Sequence, residues 1–319
     1  MLLHVTNGDS VLTTFRQVRF PGRYLAWKDV LHDGPVPQTA DLEALSDIRA
    51  RALADFGWGA YEKLRADFAE RDQSLEGFRK FEEVVLWFEH DLYDQLQLIQ
   101  LLDWFAQQEM GKIRLSMVQI NSHAGIKDFQ GLGQLSGTQL ARLFPQRRTV
   151  LPEQLAIATD AWAAFRSATP ETLIEFLQVN HREMPFLRDA LLRFCQEYPW
   201  TADGLSRTQR QILQAVQAGA KTKQEIYLTS RKQEIAAWGD SSVYMRLDGL
   251  TRSPEPLLRV NGEHFGLTAS GQALLEGKGD YISLSGRGID TWLGGVHLIG
   301  AHADWRWNEA VQKLELQKR

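Results

Sequence analysis

Three short segments of this chain bring carboxylate, imidazole and amide groups close together in the sequence. Histidine titrates near neutrality and can transfer protons, a neighbouring carboxylate can orient it or raise its pKa, and the same mixture of groups can bind a divalent metal. The candidate catalytic residues are Asp9, Asp29, His32, His90 and Asp91, and the candidate ligand-binding residues are Asn7, Gly8, Ser10, Lys28, Glu89 and Asn121.

Each segment also has a purely structural interpretation. Gly8 allows a close backbone approach and Ser10 at a helix start leaves N–H groups pointing outward for a phosphate, but Asp9 or Ser10 can equally cap the helix. His90 can be a hydrogen-bonded histidine beside a helix that Asp91 caps, and consecutive residues point in different directions. We therefore expect at most two of residues 89–91 to share one site.

A serine-esterase arrangement is a minor alternative. Gly8-Asp9-Ser10 and Asp29-Val-Leu-His32 resemble the Gly-Asp-Ser and Asp-x-x-His elements of a class of esterases. In those enzymes the second element lies near the C-terminal end of the domain, whereas here it follows the second strand. A Ser10 nucleophile with His32 as its base stays open, because a triad requires spatial adjacency and not sequence order.

The hydrophobic pattern predicts the elements that position these residues. Residues 83–88 form a continuous apolar run, which is typical of a central parallel strand buried on both faces. In an open parallel sheet, ligands bind beyond the carboxyl ends of the strands, so we expect the candidate residues to line one crevice. The other predicted elements here are strands at 2–6, 24–27 and 113–120 and helices at 10–18, 41–56, 61–78 and 92–108.

The remainder of the chain predicts a second part. We expect helices at 208–217, 222–228 and 241–250, then a hairpin at 257–267 that turns at Asn261-Gly262, which together favour a winged helix. The predicted fold class is α/β, with a Rossmann-like parallel-sheet domain over 1–148, a helical connector over 149–202 and a winged-helix-like α+β domain with a C-terminal extension over 203–319. We expect the tryptophan-containing tail to be irregular or extended.

Charge limits the nucleic-acid interpretation of the winged helix. Such a fold would present Tyr244 and Arg246 on its third helix and Arg259 on its hairpin to DNA. Residues 203–280 contain ten Lys or Arg against nine Asp or Glu, a net of +1, and the whole chain carries a net charge of −4. DNA binding is therefore weakly supported, and a protein-interaction module or interdomain brace stays open.

Composition indicates a globular protein with two ordinary domains. The chain has 319 residues, is 44% hydrophobic and contains one cysteine, Cys195, in an apolar helical run where a buried thiol is expected. A basic leader and a long apolar span are missing from the sequence, so we expect a cytoplasmic location. Motifs for ATP hydrolysis, NAD chemistry or structural zinc are missing as well. The sequence names no particular cofactor, metal or oligomeric state.

The first half of the chain resembles the bacterial domain-of-unknown-function family 1835. The resemblance spans roughly residues 1–145 and rests on three stretches in order: His4-Val-Thr-Asn-Gly-Asp-Ser10, Trp27-Lys-Asp-Val-Leu-His-Asp-Gly-Pro35 and Leu86-Trp-Phe-Glu-His-Asp-Leu92. It implies that the three segments belong to one domain, and it brings no established activity. The downstream region is similar to second halves attached to that domain.

Three functions remain open from the sequence. The first is an enzyme, or former enzyme, whose crevice handles a phosphorylated or nucleotide-like small molecule. The second is a ligand-responsive regulator whose winged helix reports to DNA or to a protein partner. The third is a non-catalytic interaction protein in which the polar strand ends act only as helix caps.

Overall fold

The computed structural model describes residues 1–127, 129–234, 238–252, 254–286 and 288–317. Its first half contains β1 (Leu2–Thr6), α1 (Asp9–Gln17), β2 (Arg23–Ala26), β3 (Gly34–Pro35), α2 (Leu42–Asp55), α3 (Tyr61–Glu76), β4 (Glu83–Phe88), α4 (Leu92–Ala106), β5 (Arg114–Gln119), α5 (Gly137–Leu143) and β6 (Arg148–Thr149). Short 3-10 helices occur at Gly77–Lys80, Leu132–Gln134, Phe144–Gln146 and Arg231–Gln233.

The second half is helical and then β-rich. It contains α6 (Pro152–Phe165), α7 (Glu171–Phe176), α8 (Leu187–Cys195), α9 (Arg207–Gln217), α10 (Lys223–Ser230), α11 (Asp240–Arg252), β7 (Leu258–Asn261), β8 (His264–Leu267), α12 (Ala269–Leu275), α13 (Tyr281–Leu284), β9 (Ile289–Gly294), β10 (Val296–Gly300), β11 (Trp305–Asn308) and β12 (Lys313–Leu316).

The main sheet has five strands in the order β2-β1-β4-β5-β6. Strands β2, β1, β4 and β5 are parallel, and β6 runs antiparallel to β5. In the sheet, β2 lies on one side of β1 and β4 lies on the other. The direction in which successive strands are placed in the sheet therefore reverses between β1 and β4. The predicted α/β fold class is confirmed, and the carboxyl ends of β1 and β4 mark the topological switch point at which such sheets bind ligands.

Strand β4 is central because its last five side chains, Val84 to Phe88, are apolar and cover both faces. All six of its residues are buried. Val84 and Leu86 pack into the larger hydrophobic core with α4 and the helices that follow the sheet, while Val85 and Trp87 pack against α1 and the 132–143 region on the other face. This alternation follows from the two-residue period of a strand. It holds the end of β4, and the residues that follow it, in a fixed position.

Helices α9, α10 and α11 are followed by the β7–β8 hairpin, which is the order of elements that the sequence predicts. Asn261 pairs with His264 across the turn, and Gly262 has a φ of +61°.

Cys195 is buried as expected, and burial raises the pKa of its thiol to about 12. Among the described residues, no helix combines the length and the apolar character that crossing a membrane requires.

The C-terminal tail is extended, which is one of the two forms that the sequence predicts. It forms two antiparallel hairpins, β9–β10 and β11–β12. Strand β9 also pairs in parallel with β3, and Gly34 lies opposite Leu293. Because β3 directly follows the Asp29–His32 segment, this pairing draws that segment toward the C-terminal half of the chain.

Candidate functional site

Three carboxylates converge just beyond the carboxyl end of β4. Oxygen atoms of Glu89, Asp91 and Asp94 all lie within 4.8 Å of one another. Glu89 and Asp91 lie in the loop between β4 and α4, and Asp94 is in the first turn of α4. Glu89 and Asp94 are buried, and Asp91 is partly exposed. The cluster therefore stands at the switch point of the sheet.

Backbone and amide donors hold this carboxylate cluster in place. Asp94 accepts hydrogen bonds from Asn7 Nδ2 at 2.7 Å and from the Glu89 backbone N–H at 2.7 Å. Asp91 accepts from the Asp94 backbone N–H at 2.8 Å, which confirms the predicted N-cap of α4. The Leu132 backbone N–H donates to Glu89 Oε1. These donors are neutral, and none of the ion pairs among the described residues involves the three acids.

Burial and mutual repulsion disfavour full ionisation of the cluster. Burial and the nearby Asp91 charge raise the pKa of Glu89 to about 8. Burial also raises the pKa of Asp91, and burial together with Asp91 and Glu89 holds the pKa of Asp94 well above its usual range. At neutral pH the cluster must hold protons or a cation, because isolated carboxylates at such short separations do not all ionise.

The start of α1 borders the same space. The N-cap of α1 is Gly8, and no side chain caps the helix. Asp9 instead pairs with Lys28 at 2.8 Å, with both side chains more than half exposed. The predicted capping by Asp9 or Ser10 is therefore not formed, and the first N–H groups of α1 have no side-chain acceptor among the described residues. Such groups suit an anion, since the helix dipole also favours negative charge there.

Two glycines form the cover of the carboxylate cluster. A Cβ at Gly131 would overlap the carboxylate of Glu89, so only glycine lets this backbone close over the buried acid. A Cβ at Gly133 would lie 2.9 Å from Ser10 Oγ, which is exposed. The 131–134 segment therefore spans from the acids to the start of α1. Sequence periodicity gave no signal for this segment, because glycine-rich loops carry none.

His90 lies at the edge of the cluster. Its ring packs edge-on against Phe186 at 6.1 Å, and its Nδ1 is buried with no hydrogen-bond partner among the described residues. Asn121 is exposed beyond β5. His4, inside β1, has a structural role: its Nδ1 accepts a hydrogen bond from Trp87 Nε1 at 3.0 Å, and its Nε2 bonds to the Pro21 carbonyl at 3.0 Å.

Asp29 does not face the crevice, contrary to the prediction. Its carboxylate binds the guanidinium of Arg49 in a bidentate pair with distances of 2.8–3.1 Å, and both side chains are buried. Arg49 also donates to the backbone carbonyls of Val30 and Asp33. The pair therefore fixes the loop after β2, because the arginine satisfies carbonyls that no strand partner reaches. Sequence spacing does not reveal this partner, which lies on α2.

His32 also lies outside the crevice, and the esterase arrangement is not formed. His32 is buried against α11, where its Nε2 lies 3.1 Å from Ser242 Oγ, while Ser10 is exposed. Ser242 donates its single proton to Asp33, so His32 Nε2 is the donor in the other hydrogen bond and cannot act as a base. Burial lowers the pKa of His32 to about 4.

The three residues predicted to contact nucleic acid differ in their exposure and in their partners. Arg246 pairs with Asp33 at 2.7 Å and with Glu197 at 3.1 Å, and its side chain is only 13% exposed, so its guanidinium is not free for a phosphate. Tyr244 packs edge-on against Tyr227 at 6.1 Å. Arg259 is exposed on β7. Of the three residues, only Arg259 is freely presented to solvent.

No family model matches the chain, and no curated protein matches it either.

Proposed function

We propose that the crevice between β1 and β4 binds a divalent cation together with a phosphorylated or nucleotide-like small molecule, and that the protein acts chemically on that molecule. The observation that carries this proposal is the convergence of Glu89, Asp91 and Asp94 within 4.8 Å at the switch point of the sheet. Hard cations such as Mg²⁺ and Mn²⁺ prefer oxygen ligands and commonly bridge carboxylates to phosphate oxygens.

The charge of the cluster supports the cation. The acids have neutral hydrogen-bond donors and no ion pair among the described residues, and the pKa of Glu89 rises to about 8. A divalent ion would replace the protons and relieve the repulsion. Binding should then release protons and strengthen as the pH rises, because a cation competes with protons for the same oxygens.

The position of α1 supports the anionic partner. Its N-cap Gly8 has no capping side chain, and Asn7 links the same turn to Asp94 at 2.7 Å. A phosphate at the N-terminus of α1 would thus lie beside a cation held by the acids. This geometry needs no Walker loop, since backbone N–H groups and a metal supply the positive potential.

Calorimetric titration of Mn²⁺ at pH 6.5 and pH 8.5 tests the cation. We expect tighter binding at the higher pH and proton release, seen as a heat that depends on the buffer. Asp91→Asn should weaken binding at least about tenfold while keeping the N-cap, because asparagine caps helices as well as aspartate. Asp160→Asn, on the exposed face of α6, is the matched control. Unchanged Mn²⁺ binding in Asp91→Asn contradicts the proposal.

The phosphate is tested separately with AMP and inorganic phosphate in the presence of Mn²⁺. Ser10→Asp places a negative charge at the start of α1 and should abolish their binding, whereas Ser10→Ala should preserve it. Phosphate release from AMP or p-nitrophenyl phosphate, lost in Asp91→Asn, supports catalysis. Binding of AMP without turnover of either ester favours a sensor.

The sensor alternative has one specific observation in its favour. The Tyr93 hydroxyl donates to the Asn7 carbonyl at 3.1 Å, its ring lies edge-on to His32 at 6.1 Å, and His32 bonds to Ser242 of α11. These contacts connect the crevice to the region for which we propose a winged helix. A salt-dependent mobility shift of random duplex that weakens in Arg259→Ala would support a DNA-binding regulator, and no shift at low salt would exclude it.

A further inference from the structure

A second space lies away from the crevice, between the α/β sheet region and the C-terminal half. It is a cavity of about 690 Å³, bounded by residues within 33–56, 197–249 and 281–293. Cavities of this size at the junction of domains commonly hold small molecules. The β3–β9 pairing and the Asp33–Arg246 ion pair, at 2.7 Å, hold its walls together.

Among the residues that the structure describes, acids outnumber basic residues around this junction cavity. The acids of this part of the lining are Asp33, Asp55, Glu197 and Asp290, and its basic residues are Arg51 and Arg246.

Both basic residues are already neutralised by partners. Arg51 pairs with Asp47 at 3.0 Å, and Arg246 lies between Asp33 and Glu197, so these two lining acids are offset as well. Arg193 also pairs with Glu197, at 2.8 Å. Asp55 has no ion pair among the described residues. Asp290 accepts a hydrogen bond from His297 Nε2 at 2.8 Å. Asp55 and Asp290 are therefore the lining acids without an Arg or Lys partner among the described residues, which favours a cation over a phosphate or carboxylate.

The apolar part of the lining is aromatic as well as aliphatic. Phe56 and Trp292 line the cavity together with Met245 and Ile289, and all four side chains are partly exposed. One face of Trp292 stacks on His297 with ring centroids 4.3 Å apart. Aromatic side chains stabilise organic cations through their π faces, particularly where water is partly excluded.

We propose that this junction cavity binds a small organic cation with a flat apolar body, of the arylalkylamine class. The apolar body would occupy the space between Phe56 and Trp292, and the ammonium group would lie near Asp55 or Asp290. This site is independent of the crevice between β1 and β4, because it uses no residue of that crevice.

Three probes with one ring system and different charges test the selection. Tryptamine is cationic, indole is neutral and indole-3-acetate is anionic at pH 7. We expect tryptamine to bind the full chain at least about tenfold more tightly than indole-3-acetate, with indole between them, in calorimetric or NMR titrations. Equal binding of tryptamine and indole-3-acetate, or no binding of tryptamine, would overturn the proposal.

Variants then assign binding to the cavity. Gly249 lines it from α11, and a Cβ there meets open space. Gly249→Phe should fill the cavity and abolish tryptamine binding, whereas Gly249→Ala should keep binding within about twofold. Both substitutions are compatible with α11, because alanine and phenylalanine each have a higher helix propensity than glycine.

The carboxylates are tested in the same way. Asp55→Asn and Asp290→Asn should each weaken tryptamine binding about threefold to fivefold without affecting indole, and Asp160→Asn should change neither. Binding that survives Gly249→Phe would place tryptamine elsewhere and overturn the assignment. Loss of indole and tryptamine binding to the same extent in the asparagine variants would overturn the role of charge.

Discussion

Asn7 Nδ2 donates a hydrogen bond to Asp94 Oδ2 at 2.7 Å, which ties the end of β1 to the first turn of α4. Asp94 is completely inaccessible to solvent, so water cannot replace this donor. Two strands that are neighbours in the sheet are thereby joined at their carboxyl ends by a polar contact between residues 87 positions apart.

Asn7→Ala should lower the free energy of unfolding by about 1–3 kcal/mol at pH 8, because a buried carboxylate loses a donor. The loss should be smaller at pH 5, where protonation removes part of the charge. Urea denaturation at both pH values measures the difference, and Asn121→Ala, an exposed amide, should stay within about 0.5 kcal/mol of wild type. An equal loss at both pH values would contradict a charge-assisted bond.

The carboxylate cluster should make the protein less stable as the pH rises. The pKa of Glu89 is raised from an ordinary 4.5 to about 8, so its proton binds the folded state more tightly than the unfolded chain. That contribution is fully present below about pH 4.5 and is lost as the pH rises through about 8. Glu89→Gln should flatten this part of the stability profile and gain most over wild type above pH 8. Above pH 8, saturating Mn²⁺ should raise the stability of the wild-type protein, and it should stabilise the Glu89→Gln variant much less.

Gly131→Ala should be much more disruptive than Gly133→Ala. A methyl at 131 meets the buried carboxylate of Glu89, whereas a methyl at 133 meets the exposed hydroxyl of Ser10, which can rotate away. We expect a loss of about 1–3 kcal/mol in the first variant and under about 1 kcal/mol in the second, measured by urea denaturation. Similar losses would mean that the cover of the cluster is not specific to position 131.

Arg246→Met should destabilise the junction between the two halves by about 3–5 kcal/mol at pH 7, because Asp33 and Glu197 would keep buried charges without this cation. Burial would raise the pKa of Glu197, but Arg193 and Arg246 outweigh it and lower that pKa to about 2. Without Arg246 this pKa should rise, so the loss should shrink as the pH falls toward 4. Arg259→Met, on exposed β7, should leave thermal and urea unfolding unchanged.

Much of the fold is predictable from local periodicity. Residues 83–88 form the central strand because the five successive apolar side chains after Glu83 suit burial on two faces, and β1, α1, β2, α4 and β5 begin and end within two residues of their predicted bounds. The strand-end rule correctly places Asn7 beside the Glu89–Asp91 segment. For the tail, the sequence left irregular and extended structure both open, because its strands, β9 to β12, have aromatic and glycine residues rather than a clean alternation.

The sequence by itself determined the parallel strands and the polar residues at their carboxyl ends, since both follow from hydrophobic period and chain direction. The strand order, and with it the space between β1 and β4, came from the tertiary structure. Only the tertiary structure decided which polar residues meet there. Asp94 enters the cluster from inside a helix, whereas Asp29 is taken by Arg49 and His32 by Ser242, which is 210 positions away. Periodicity describes which face of an element is buried, but the partner of a polar side chain depends on where distant segments pack.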